Sequence, residues 1–300
     1  MKKKNIYGII VVALVCIGII LGGKDIVDKS NSNNHQNTNT NVDESNVSLE
    51  GDILEVHFID VGQGDGTLII QGENSMLIDA GTNESAEAVE NYLKECGIEK
   101  LDYIVGTHPH EDHIGGLDEV IEKFDEDKIL FPKVTSTTKT FENFVTAVKN
   151  KGKKLTTPVV GEKYELGKAT FEIIAPNSEK YDSLNNYSIV IKLTFGNVSY
   201  LFTGDTEKES EDEILNNNID ISADVIKIGH HGSSTSTSSK FLEAVNPKYA
   251  VISLGKDNSY GHPHKEVLAR LKLSEATIYR TDTSGNIVSK TDGSSIVFNK

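Results

Sequence analysis

The sequence predicts a mixed α/β (α+β) domain with two strand-rich halves and helices between them. Three observations carry this. Short apolar runs rich in Val, Ile and Phe recur between Gly, Pro, Asn and Asp clusters, as strands do. Amphipathic segments with apolar residues at helical spacing alternate with them. Histidines and carboxylates gather just past the ends of several apolar runs, where open α/β sheets carry their sites. No repeat of fixed period is visible.

Residues 1–23 stand apart. Lysines at 2–4 precede an apolar run over residues 6–21, extended by Gly22 and Gly23. At a helical rise of about 1.5 Å per residue the run spans roughly 27 Å, about one hydrocarbon core. The basic flank predicts a cytoplasmic N-terminus and an exported remainder. No small-x-small cleavage site follows the run, and Val15 precedes Cys16, so an uncleaved membrane anchor is read ahead of a cleaved signal peptide. Residues 24–50 are dominated by Asn, Ser, Thr and Asp, cannot bury enough apolar surface to order themselves, and predict a disordered tether. Residues 51–300 then form one domain. At 37% hydrophobic and 25% charged residues the chain can build a sizeable core. Its two cysteines, Cys16 and Cys96, fall in the apolar run and in a later helix, which excludes a disulfide framework.

Within the domain, residues 53–59, 67–70 and 76–78 predict strands. The glycine-rich turn at 62–66 is read as a tight hairpin, with Gln63 and Asp65 as the residues that approach a site if it does more. Ala88, Val89, Tyr92, Leu93 and Cys96 share one face of a helix over 86–96. Residues 101–105 predict a buried strand and 115–124 a helix, followed by a strand at 128–131 closed by Pro132 and a helix at 141–148. Lys149, Lys151, Lys153 and Lys154 read as a solvated helix end ahead of a phosphate contact. Further strands are predicted at 171–176, in the latter half of 184–193, and at 198–205, 224–228, 249–254, 277–280, 286–290 and 295–298. Helices are predicted at 207–215 and at 264–271, the second with Pro263 near its first turn.

The chemistry concentrates at Thr107-His108-Pro109-His110-Glu111-Asp112-His113, between a predicted strand and a predicted helix. His108 and His110 alternate as on an extended segment and can reach one cation. Asp112 and His113, at the turn that follows, can reach a second. Imidazole nitrogen with carboxylate oxygen and no thiolate suits zinc, manganese or iron. Two such ions roughly 3.5–4 Å apart can activate a water and clamp both oxygens of a phosphoryl displacement. His230 and His231 sit at another strand end between Gly229 and Gly232, and Asp205 ends the run 198–205.

The HxHxDH run resembles the second motif of the metallo-β-lactamase superfamily. Phe58-Ile59-Asp60-Val61-Gly62-Gln63-Gly64-Asp65, Leu77-Ile78-Asp79-Ala80-Gly81, Phe202-Thr203-Gly204-Asp205, Gly229-His230-His231-Gly232-Ser233 and Tyr260-Gly261-His262-Pro263 extend the likeness to its ComEC-like domains of DNA-internalization proteins. The likeness covers roughly residues 53–299. It implies a four-layered αββα sandwich and one or two divalent ions, zinc or manganese. The implied metal ligands are His108, His110, Asp112, His113 and Asp205 as a carboxylate bridging both ions, with His230 read ahead of His231 as a further ligand and little to separate the two. Catalytic roles fall to Asp112, His231 and His262, with His231 orienting or acting as acid and His262 contacting substrate or acting as acid. Asp79 is implied to support the metal loop by hydrogen bonding, and Ser233 to hydrogen-bond a phosphate. One departure is visible. Most members place a histidine near residues 184–193, whereas Asn185, Asn186 and Ser188 stand here, which implies an open first site or a harder ion such as manganese. Asn186 and Ser188 are kept as contacts.

Function is then expected to be metal-dependent phosphodiester hydrolysis on extracellular DNA. The alternatives are a cell-wall phosphodiesterase of phosphorylcholine-esterase type, a metal-poor binding module and, fourth, a β-lactamase. A formal charge of −15 speaks against an extended nucleic-acid surface, so binding would rest on ions and local lysines. No protein partner is evident. The membrane is expected as a partner through the N-terminal run, with an exported, anchored or secreted domain.

Overall fold

The structure, a computed structural model, describes residues 49–299, so the expected anchor at 1–23 and most of the expected tether lie outside the described residues. Among the described residues no helix is long and apolar enough to cross a membrane.

The first half runs β1 (Leu54–Phe58), β2 (Gly66–Gln71), β3 (Asn74–Ala80), α1 (Ala86–Glu95), β4 (Lys100–Val105), α2 (Glu111–Ile114), α3 (Leu117–Lys123), β5 (Asp125–Leu130), α4 (Lys139–Asn150) and β6 (Leu155–Thr156). The second runs β7 (Lys163–Leu166), β8 (Ala169–Ala175), β9 (Val190–Phe195), β10 (Val198–Phe202), α5 (Lys208–Asn216), β11 (Val225–Lys227), α6 (Ser239–Val245), β12 (Tyr249–Ile252), α7 (Lys265–Leu273) and β13 (Thr277–Arg280). A short α8 (Thr281–Ser284) then leads into β14 (Ile287–Thr291) and β15 (Ile296–Asn299). The strands order as β15-β14-β1-β2-β3-β4-β5-β6 in one sheet and β13-β12-β11-β10-β9-β8-β7 in the other.

Strand parity decides what each sheet buries. Met76 and Ile78 of β3 face the second sheet, as do Val56 and Phe58 of β1, and meet Ile191, Leu193, Tyr200 and Phe202 there. Leu77, one residue out of phase, points the other way and packs with Val89 and Leu93 of α1 and Leu117 and Val120 of α3. Leu201 and Ile226 do the same on the second sheet, against Ile214, Phe241, Val267 and Leu271 of its helices. Helices α1, α3 and α4 thus cover one sheet and α5, α6 and α7 the other, giving the four-layered αββα sandwich. Each fully buried Leu or Phe contributes roughly 1.5–3 kcal/mol by leaving water.

Each sheet is antiparallel on one side and parallel on the other: β3-β4-β5-β6 in the first, β10-β11-β12-β13 in the second. The loops leaving the C-terminal ends of β3, β4, β10, β11 and β12 carry the candidate site.

Several elements differ from the sequence expectation. The helix expected over 115–124 is α3, which covers 117–123, and a separate short helix, α2, precedes it at 111–114, parted from it at Gly115 and Gly116. Both glycines keep helical backbone angles. They permit close approach instead, since a Cβ on Gly115 would lie 2.3 Å from the Asn83 nitrogen. The β5 strand begins at Asp125, three residues before the expected start. The lysines after α4 serve the fold: Lys151 Nζ donates to the Phe124 carbonyl at 2.9 Å, and Lys153 donates to that of Glu126. Strands β6 and β7 and helix α6 were not expected. The α6 helix did leave a signal, for Ser238 caps it through the Phe241 nitrogen, and Phe241, Leu242 and Val245 share its buried face.

Candidate metal centre

Two groups of side chains converge where the sheets open. Asp112, His113, Asp205 and His231 offer ligand atoms that all lie within 4.8 Å of one another, and so do His108, His110 and Asp205. Asp205, just past β10, belongs to both. Its Oδ1 stands 3.2 Å from His113 Nε2 and 3.6 Å from His231 Nε2, while its Oδ2 stands 3.9 Å from His108 Nε2.

The first group is braced from behind. Asp79 ends β3 in a left-handed backbone conformation and takes three donors: the Thr107 nitrogen at 2.8 Å, the Thr107 hydroxyl at 2.7 Å and His113 Nδ1 at 2.7 Å. His231 Nδ1 donates to the Ser253 carbonyl at 3.0 Å, an acceptor with no proton to give, which fixes its tautomer. With both Nδ1 atoms committed, the Nε2 atoms of His113 and His231 turn towards Asp205 Oδ1. All three are buried and without a hydrogen bond. Orphaned buried polar atoms are costly, and a divalent ion accepted by two imidazoles, Asp205 and Asp112 would satisfy them together. The donor set therefore fits a divalent cation.

The electrostatics point the same way. Burial opposes charge on His113, but Asp205 and Asp79 outweigh it and hold its pKa well above the ordinary value. His231, equally buried, is raised to about 10 by Asp205 and Asp65. Burial also opposes charge on the carboxylates, yet the histidines around Asp112 and Asp205 hold both well below the usual range. Positive charge is what this centre is built to receive.

The second group is looser. His108 is fully buried, with Nδ1 near the Thr107 hydroxyl at 3.1 Å and the Ser188 hydroxyl at 3.4 Å, and Nε2 2.9 Å from His110 Nδ1. Burial lowers its pKa well below the usual value, leaving a neutral ligand. Ser188, where most members would place a histidine nearby, also accepts from the Asp205 nitrogen at 3.1 Å, so it positions two ligands.

Three expectations need correcting. His231, not His230, completes the group around His113. His230 is part-exposed, with Nε2 3.6 Å from Asp205 Oδ2, beside the looser group. Both histidines sit in left-handed backbone conformations, and Gly229 and Gly232 let the chain turn sharply around them. Asn186 faces away, its amide accepting from the Glu207 nitrogen and donating to Glu209. Asn185 is the residue that reaches the site, 3.5 Å from His230 Nδ1. The Ser233 hydroxyl is spent on Thr235, 3.1 Å away, and is buried rather than presented to a substrate. His262 lines the pocket as expected, and burial with the neighbouring His231 and His230 lowers its pKa to about 4, so it is neutral near pH 7.

The turn at 62–66 does both things read for it. It closes the β1–β2 hairpin, and it carries Asp65 to the back of the centre. Gly64, at φ 157°, is pressed so close that a Cβ would lie 2.4 Å from the Asp112 carbonyl. Asp65 approaches His231 Nδ1 at 3.2 Å and pairs with Lys227 Nζ at 2.7 Å. Lys227 is buried because it follows Val225 in parity on β11 and so faces between the sheets. Sequence reasoning missed Lys227, though a lysine inside a buried apolar strand was the available signal.

A pocket of about 490 Å³ opens over these groups, walled by Gln63, Thr82, Glu111, Tyr260 and His262. The metallo-β-lactamase superfamily model matches residues 59–256. The chain is 32% identical over 259 residues to ComE operon protein 3 of Bacillus subtilis (strain 168), covering 80% of this chain and 33% of that protein. It is 29% identical over 228 residues to competence protein ComA of Neisseria gonorrhoeae, covering 75% of this chain and 30% of that one. The chain thus spans about a third of the length of these curated relatives. Among solved structures, the metallo-β-lactamase fold protein YhfI from Bacillus subtilis superposes with a TM-score of 0.53 at 16% identity, over 80% of this chain and 100% of that one, a likeness of fold. With its two histidine-carboxylate groups at the open end of an αββα sandwich, the chain belongs to the metallo-β-lactamase superfamily, whose members bind one or two divalent ions, and it is similar there to the ComEC-like competence proteins.

Proposed function

We propose that the domain is a metal-dependent hydrolase that cleaves phosphodiester bonds, with nucleic acid outside the cell as its substrate. The observation that carries this is the convergence of His113 Nε2, His231 Nε2 and Asp205 Oδ1, orphaned and buried, at the floor of an open pocket. Bound zinc or manganese ions would supply Lewis acidity and lower the pKa of water towards neutrality.

The chain's own residues do the rest. Asp205 sets one oxygen towards each group and offsets positive charge. Asp112, the most open of the first group's ligands, faces the pocket beside His231 Nε2 at 3.2 Å. His262, neutral near pH 7, can hold a phosphate oxygen through a ring N–H. A phosphodiester brings one negative charge to a centre that favours cations and anionic oxygens together. Nucleic acid is favoured by the likeness to two proteins named for competence and for the ComE operon. The net charge of −15 means that ions and local groups, not a basic surface, must hold the strand. The apolar run at 6–21 with its basic flank anchors the domain at the outer face of the membrane in this reading. Protease accessibility on whole cells checks that placement.

The test is full-length protein in a manganese and zinc series, given single-stranded DNA, duplex DNA, phosphorylcholine esters and a bis-aryl phosphodiester. Metal-dependent cleavage of DNA, lost on chelation, is expected. Turnover of phosphorylcholine esters alone would move the substrate to the cell wall. A protein that holds no metal and turns over nothing would be a binding module.

A further inference from the structure

The pocket wall holds a side chain that the hydrolytic chemistry does not use. Tyr260 is 64% exposed, one of few large apolar side chains left in water among the described residues, and it stands at the rim of the centre. Scattered exposed apolar residues need no explanation, but this one is held in place. Its ring stacks on His262, with centroids 5.6 Å apart and planes 19° from parallel. The loop that carries it is tied to itself by Asn258, whose amide donates to the Gly255 carbonyl at 3.0 Å and the His262 carbonyl at 2.8 Å and accepts from the His262 nitrogen at 2.9 Å. Both loop ends are wedged. A Cβ on Gly255 would lie 2.7 Å from the Gln63 nitrogen, and one on Gly232 would lie 2.6 Å from the Pro263 side chain. An aromatic ring presented to water on a pinned loop, next to a phosphate-cleaving centre, is pre-organised for a ligand.

We propose that Tyr260, backed by His262, forms a nucleobase-stacking subsite that seats an unpaired base beside the phosphodiester to be cleaved. This rests on the phosphodiester reading above and names what flanks the phosphate. The ring lies nearly parallel to the imidazole and most of the residue is in water, which suits a further planar partner. A quaternary ammonium group needs several aromatic faces around it, and only one is offered here. A paired base keeps both its faces within the duplex, so the subsite favours single strands or frayed ends. At the base of the same loop, Gln63 also lines the pocket and accepts from the Gly255 nitrogen through Oε1 at 3.2 Å, which keeps its Nε2 donors off that bond.

The experiment compares full-length protein with its Tyr260→Ala, Tyr260→Phe and Tyr260→Trp variants on two single-stranded oligonucleotides of equal length and charge, one with bases and one abasic. Turnover is measured with manganese, and binding by fluorescence anisotropy with chelator. Tyr260→Ala should raise KM on the base-bearing strand about tenfold, within the range for base–aromatic stacking. It should leave kcat and all turnover of the abasic strand unchanged, and Phe or Trp should restore KM. In the binding arm the preference for bases should vanish in Tyr260→Ala alone. Equal losses on both strands, or none on either, would overturn the subsite. Tyr260-dependent competition by phosphorylcholine with no base preference would overturn it in favour of a quaternary ammonium. If wild-type protein binds bases through Tyr260 but cleaves neither strand, the subsite stands and the hydrolytic reading fails.

Discussion

The two donor groups of the centre share Asp205 and differ in almost everything else. Around His113 and His231, both imidazoles are braced: Asp79 holds one, and the Ser253 carbonyl and the Asp65–Lys227 pair hold the other. Around His108 and His110, the braces are hydroxyls at 3.1 to 3.4 Å, and a neutral amide, Asn185, stands where a further ligand could be. Groups that orient a ligand are worth about 10–100-fold in metal affinity. The difference predicts a tightly held ion at the first group and an exchangeable one at the second, although both would depend on a single carboxylate.

The largest effect should therefore come from that carboxylate. Asp205→Ala is expected to remove both ions and to lower kcat/KM by about a thousandfold or more, since the Lewis acid supplies several kcal/mol. Metal content and turnover measured on the same sample check it. Retention of either ion at full strength would show that the groups do not share Asp205.

Next, His231→Ala and His230→Ala should separate the groups. His231 is buried with its Nε2 on the tight group, and its loss should cost that ion about 100-fold in affinity. His230 is part-exposed beside the loose group, and its loss should cost about tenfold there and leave the tight ion in place. Equilibrium competition with a chromogenic chelator resolves both. Equal effects would undo the contrast between the sites.

Acidity gives a third comparison, between metal-free and metal-loaded protein. The His231 pKa is raised to about 10 when no ion neutralises its carboxylates, against about 6.5 in an unfolded chain. A raised folded pKa contributes stability that is complete below the unfolded value and is lost as pH climbs through the folded one. The melting temperature of metal-free protein should fall by several degrees between about pH 6.5 and 10. With an ion on Nε2 the ring has no proton to lose there, so the loaded protein should hold its melting temperature over the same range.

The legibility of these features follows from the distance over which each is encoded. The HxHxDH loop could be read because its ligands lie within one turn, and the strand before it because Leu101, Ile104 and Val105 form a compact apolar run. Residues such as Leu77 and Ile78 reveal a strand but not which sheet face each covers, because parity acquires meaning only once the second sheet is in place. The two adjacent histidines were indistinguishable in sequence. What separates them is the Ser253 carbonyl, 22 residues downstream on the β12 end. Lys227 looked like a strand residue, and Asn185 could not be told from Asn186 beside it, because their partners, Asp65 and His230, arrive from other loops. Strands β6 and β7 escaped because a two-residue strand has no period and Lys163-Tyr164-Glu165-Leu166 is half polar.

The smallest effect sharpens the contrast most directly. Asn185 is buried and its Oδ1 has no hydrogen-bond partner, while its Nδ2 lies 3.5 Å from His230 Nδ1. Asn185→Asp keeps shape and volume and replaces a poor ligand with a good one for a hard or borderline cation. Without metal, the new buried carboxylate has no full partner and should destabilise the fold by about 1–3 kcal/mol. With metal it gains one, so the loss should be recovered and affinity at the loose group should rise about tenfold, with the tight group unchanged. Thermal melts with and without manganese, beside a two-site titration, read all three quantities. If the variant were destabilised equally with and without metal, Asn185 would not face the ion, and the openness of the second group would need another cause, such as the exposure of His230 itself.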